Sequence, residues 1–181
     1  GVQTCALPIY VRDRAGAAAA VARVLERLGR PRRVGLVLGD PAAKVSLVKL
    51  QQVPSRQQDL EQVIRWQVRK TTPFAIEEAQ VGFEPGLNGP DGQEFLVTVA
   101  RRDVVAEYEA LCAAAGAHAG LVDISTFNVA NLVLASGPPP PGDWLLVNLA
   151  PGWESVAIMR GAQLAFFRNR GARSEEHTSE L

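Results

Sequence analysis

Four consecutive prolines at 138–141, behind Gly137, constrain this 181-residue chain more than any other feature. Each proline locks φ and removes a backbone N–H, so the run fits neither a helix interior nor a strand ladder. It reads as a stiff connector with a domain boundary inside it. Beyond it, residues 144–149, 155–160 and 164–168 read as three strands joined by Pro151-Gly152 and Gly161-Ala162 turns.

Before the prolines, helix and strand patterns alternate. Residues 16–28 are Ala-rich, with Val21, Val24, Leu25 and Leu28 at helical spacing and Gly29 and Pro31 as stops. Residues 33–38 read as a buried strand and 45–50 as a second. Ser55 with Gln58 makes a capping box for a helix whose apolar face is Leu60, Val63, Ile64 and Val68. Pro73 ends that helix at the two threonines before it. Strands over 79–84 and 94–100 are joined by a turn-rich loop at 88–92. Asp103 opens a helix with Val104, Val105, Tyr108, Leu111 and Cys112 on one face, closed by Gly116. A short strand over 119–122 leads into a helix near 126–134. The pattern predicts an α/β class, without internal repeats.

Composition narrows the function. At 47% hydrophobic and 21% charged residues, the chain can bury a core. Nineteen Lys and Arg against nineteen Asp and Glu argue against a nucleic-acid partner held by a basic surface. No apolar run approaches the ~20 residues of a membrane-spanning helix, so no membrane insertion is expected.

The two ends read better as nucleotides. AGA TCG GAA GAG CAC ACG TCT GAA CTC encodes residues 173–181, and its reverse complement, in a shifted frame, encodes residues 1–9 apart from the first. Both resemble a sequencing-adapter oligonucleotide and are set aside as foreign. The expectation is a natural chain over 10–172, cut at both ends. Cys112 and His118 are then alone of their kinds, too few for the usual zinc site, and no metal is expected.

No phosphate-loop, dinucleotide or zinc-protease motif occurs. Cys112 reads as a small hydrophobe, His118 as packed or surface, and Glu77-Glu78 as solvated charges. No catalytic residue is assigned. Trp66 lies off its helix's apolar stripe among Asp59, Arg65 and Arg69, either packing between domains or docking a partner. Phe74 sits at a Pro-bounded corner after it. The hairpin turn between Asn148 and Ser155 could carry a phosphate loop, although Pro-Gly turns are usually only turns.

Residues 64–78 read Ile-Arg-Trp-Gln-Val-Arg-Lys-Thr-Thr-Pro-Phe-Ala-Ile-Glu-Glu. This resembles the signature of PilM-type type IV pilus assembly proteins, "R-W-E-x-x-x-x-I-P-F-P-I-E-E". Residues 95–105 resemble their "V-A-A-R-K-E-x-V" segment, and 115–127 their "A-G-L-x-P-x-x-V-D-x-x-P-F". The resemblance implies a fragment of an actin-like, FtsA-like α/β fold with a small inserted α+β subdomain. Residues 10–39 and 118–136 would be first-lobe core, 40–117 the inserted subdomain, 137–142 the connector, and 143–172 the start of a second lobe.

The same resemblance implies a cytosolic scaffold, peripheral to the inner-membrane face. Its partners would be the cytosolic tail of a PilN-like membrane protein, docked between the first-lobe core and the inserted subdomain, and other pilus components. Arg65, Trp66 and Phe74 are the candidate partner-binding residues. The family's second-lobe phosphate loop reads Asp-Ile-Gly-Ala-Glu, whereas Asn148, Leu149, Ala150, Pro151 and Gly152 stand here. An amide has replaced the acid that organises Mg²⁺, and Ala150 has replaced a close-approach glycine. ATP and Mg²⁺ belong to the family, while no cofactor is expected here; Asn148, Ala150 and Gly152 are degenerate cofactor-binding positions. The alternatives on the same fold are an ATPase or sugar-kinase-like enzyme, or a component of type II secretion or cell division.

Overall fold

The structure, a computed structural model, describes residues 10–171. The two adapter-like ends lie outside the described residues. Helix α1 (Arg14–Arg27) starts where Asp13 accepts a hydrogen bond from the Gly16 N–H at 2.9 Å. Of its expected apolar face only Leu25 is buried; Val24 and Leu28 are exposed.

Strand β1 (Arg33–Leu38) follows and pairs in parallel with β5 (His118–Ile124), forming a two-stranded sheet. The buried strand expected at 33–38 is half open: only Leu38 is buried and Val37 is 50% exposed. A two-stranded parallel sheet has too little around it to cover both faces.

Everything between these two strands is a topological insertion. It runs through a 3-10 turn (Asp40–Ala42), β2 (Ala43–Leu50), α2 (Gln57–Arg69), β3 (Ala79–Gly89), β4 (Gly92–Arg101) and α3 (Arg102–Ala114). The antiparallel sheet has the order β2-β4-β3. On one face α2 lays Leu60, Ile64 and Val68 against Phe95, Val97 and Val99 of β4. This is the stripe that 3–4 spacing predicts.

The expected capping box does not form. The cap residue of α2 is Arg56, with no side-chain cap bond. Ser55 falls one position too early for its hydroxyl to serve as the cap.

Helix α4 (Ser125–Ala135) follows β5 directly. Residues 137–142 then carry neither helix nor ladder, as the prolines demand. The chain ends in an antiparallel meander of β6 (Asp143–Ala150), β7 (Trp153–Arg160) and β8 (Gln163–Gly171). A second core joins Leu96 of β4 to Ala130 of α4 and to Ala157, Met159 and Leu164 of the meander. The inserted sheet is therefore covered by α2 on one face and by α4 and the meander on the other. Among the described residues, no helix is long and apolar enough to cross a membrane.

Candidate functional site

A groove of about 720 Å³ opens between the inserted sheet and the β5–α4 unit. On one wall it is lined by every residue from Gln80 to Gly86, and on the other by every residue from Leu121 to Ile124. Side chains alternate between faces along a strand. A lining made of consecutive residues therefore marks a groove that runs along strand edges. Both strands do lie at edges, β3 of the order β2-β4-β3 and β5 of the β1–β5 pair.

Side chains hold the two ends of the β3 edge. Arg102 Nη2 donates to the Ala79 carbonyl at 3.2 Å, and Gln163 Nε2 to the Gly86 carbonyl at 2.9 Å. Between them, Thr98 and Ala100 of β4 and Gly82 of β3 keep the groove wall low. A Cβ added at Gly82 would meet nothing within 4 Å, so this glycine leaves open space rather than a strained turn.

At one end the groove reaches a polar joint. Asp40 is fully buried; its Oδ1 accepts the Thr126 N–H at 2.9 Å and its Oδ2 the Thr126 hydroxyl. Asn148 Nδ2 donates to Thr126 Oγ1 at 3.0 Å and to Ser125 Oγ at 3.1 Å, tying β6 to the start of α4. Across the ladder from Asn148, the hydroxyl of Ser155 is buried without a partner among the described residues. Asp123 accepts from the Ile124 N–H at 2.8 Å and from Asn128 Nδ2 at 2.9 Å. Burial pushes its carboxyl above the usual range, and the charge of Asp40 adds to the shift.

Ala150 pairs with Trp153 across the β6–β7 turn, where Gly152 takes a φ of 87°. A Cβ at Gly39 would sit 3.3 Å from Trp153 Nε1, so the hairpin tip lies against the end of β1. Asn148 faces the hydroxyls of the joint, and Ala150 and Gly152 belong to the hairpin tip. The Asn148 amide brings no charge, and its Nδ2 is already committed to the joint.

Arg65, Trp66 and Phe74 lie elsewhere. None lines the groove, because α2 covers the opposite face of the sheet. Trp66 is 64% exposed and does not pack between subdomains. Arg65 Nε meets Glu61 at 3.0 Å, and its Nη1 donates to the Ile76 carbonyl at 3.4 Å. Phe74 packs on the α2 core with the Arg101 guanidinium 5.6 Å above its ring. Arg101 grips Asp103 at 3.0 and 2.7 Å and reaches Glu78 at 3.7 Å. That grip lowers the Asp103 carboxyl to about 2. The Pro-bounded corner is thus a clasp joining the end of α2 to the start of α3.

The parallel strand pair with its helices, the α+β insertion between its strands and the meander after it are a fragment of an actin-like α/β fold. The chain belongs to the type IV pilus assembly protein PilM family, whose model matches residues 11–173. Among solved structures it is similar to the PilM-PilN type IV pilus biogenesis complex, at 21% identity and a TM-score of 0.79. That match covers 94% of this chain and 52% of the other. It is also similar to the cytoplasmic domain of EpsL, an inner-membrane component of the type II secretion system of Vibrio cholerae. Here the identity is 14% and the TM-score 0.57, covering 85% of this chain and 56% of that one. The chain thus spans about half the length of the structures it matches. No curated protein is a significant match.

Proposed function

We propose that this chain is part of a cytosolic type IV pilus scaffold that captures the tail of a PilN-like inner-membrane protein in the β3–β5 groove. The observation that carries the reading is the pair of strand edges facing one another across the groove. A free edge offers unpaired N–H and C=O groups to an extended segment, which adds as a strand. The similarity to a PilM protein solved with PilN supports the choice of partner. Capture of a membrane protein's tail would hold the scaffold at the inner face of the membrane.

In this reading residues 40–117 are a subdomain inserted into the core formed by 10–39 and 118–136. Residues 137–142 connect that core to a second lobe beginning at 143. The exposed Trp66, with Arg65 beside it and Phe74 at the corner behind, forms a separate contact for another pilus component. The chain works without a nucleotide: Asn148 serves the joint between β6 and α4, and no acid stands in its place. The EpsL-like reading, a type II secretion component, has the weaker structural likeness.

Calorimetry with a synthetic PilN-like tail peptide tests the proposal. Wild type should bind it, and Gly82→Leu, which fills open space in the groove wall, should weaken binding at least tenfold with an unchanged melting temperature. Equal binding by both would place the tail elsewhere.

A further inference from the structure

Glu84 on β3 and Asp123 on β5 are the only ionisable side chains among the described residues lining the groove, and both are acids. Arginine meets several acids elsewhere, Asp103, Asp143 and Glu107 among them. Among the described residues, none meets an acid of the groove. The Glu84 side chain has no hydrogen-bond or ion-pair partner among the described residues, and the Asp123 carboxylate is met only by the neutral donors Ile124 N–H and Asn128 Nδ2. Behind Asp123, the fully buried Asp40 is likewise held only by neutral donors of Thr126. Uncompensated carboxylates on both walls of a cleft give the groove a negative potential.

We infer that the groove selects an extended segment carrying a Lys or Arg side chain, whose charge is answered by the uncompensated carboxylates lining its walls. The inference rests on reading the groove as a peptide site and adds the chemistry of its occupant. Backbone pairing along β3 supplies affinity for any extended segment, while charge-assisted hydrogen bonds discriminate among sequences. An acidic segment in the same register would face repulsion from both walls.

The test is a selection of random decapeptides, displayed on phage, against the whole chain, with Gly82→Leu as the counter-selection that removes binders not using the groove. The peptides that survive should be enriched in Lys or Arg at one position. Replacing that residue by the neutral isostere citrulline in an Arg-containing binder should weaken it about tenfold. Glu84→Gln and Asp123→Asn should each reduce the preference for Arg over citrulline while leaving the melting temperature within a few degrees. Glu84 is exposed, so its variant reads the effect even if Asp123→Asn perturbs the fold. Groove-dependent binders without a cation, or with an unchanged preference in both variants, would overturn the inference and leave the groove reading intact. A selection that yields nothing sensitive to Gly82→Leu would overturn the groove reading and this inference with it.

Discussion

The Nδ2 of Asn148 donates to two hydroxyls, and one of these, on Thr126, leans on the buried carboxylate of Asp40. An acid at this position would bring a second negative charge towards Asp40 and lose both donated hydrogen bonds. Asn148→Asp should therefore cost about 2 kcal/mol at neutral pH, combining lost hydrogen bonds with like-charge repulsion. Urea denaturation of the two proteins measures this, and the deficit should shrink in acid as the new carboxyl takes a proton. At the Arg101 clasp a carboxylate stabilises instead, and acid removes that contribution. Asp103 is lowered from 3.8 to about 2, so its contribution is full above its unfolded value and is lost as pH falls through about 2. The melting-temperature difference between wild type and Asp103→Asn should be present near neutrality and close between those two values.

At the scale of elements, α2 separates a packing face from a free one. Ile64 is fully buried whereas Trp66 is 64% exposed. Ile64→Ala should cost about 3 kcal/mol through lost contacts and a cavity, and Trp66→Ala less than about 0.5 kcal/mol. Thermal melts of the pair decide this. A large loss from Trp66→Ala would mean that the side chain packs after all.

The α2 stripe was legible because 3–4 spacing reports directly which residues meet a sheet. The proline connector and the two hairpin turns of the meander were legible for an equally local reason, the backbone angles that Pro and Gly impose. The half-exposed state of β1 was not, since an apolar run reports that a strand can be buried and not whether anything covers it. The cap at Ser55 failed by one residue, the usual margin at a helix end. The groove was the least legible part. The resemblance placed a tail between the core and the insertion, but strand alternation cannot tell which strand ends at an edge. Gln80 to Gly86 and Leu121 to Asp123 carried no signal of their own, while Trp66, the most conspicuous residue in the sequence, stands on the far side of the sheet.

For the whole molecule, the proposed function needs two edges, brought together from a core pair and from an insertion nearly eighty residues long, to form a slot for an added strand. Neither sheet could do this alone, because each offers only one wall. A strand added to β3 covers backbone amides that are otherwise open to solvent. Hydrogen exchange of the full chain with and without a PilN-like tail peptide reads this directly. Exchange along residues 80–86 of β3 should slow at least tenfold when the peptide is bound, with little change on the outer face of α2. Slowed exchange confined to α2 around Trp66, with β3 unaffected, would contradict it.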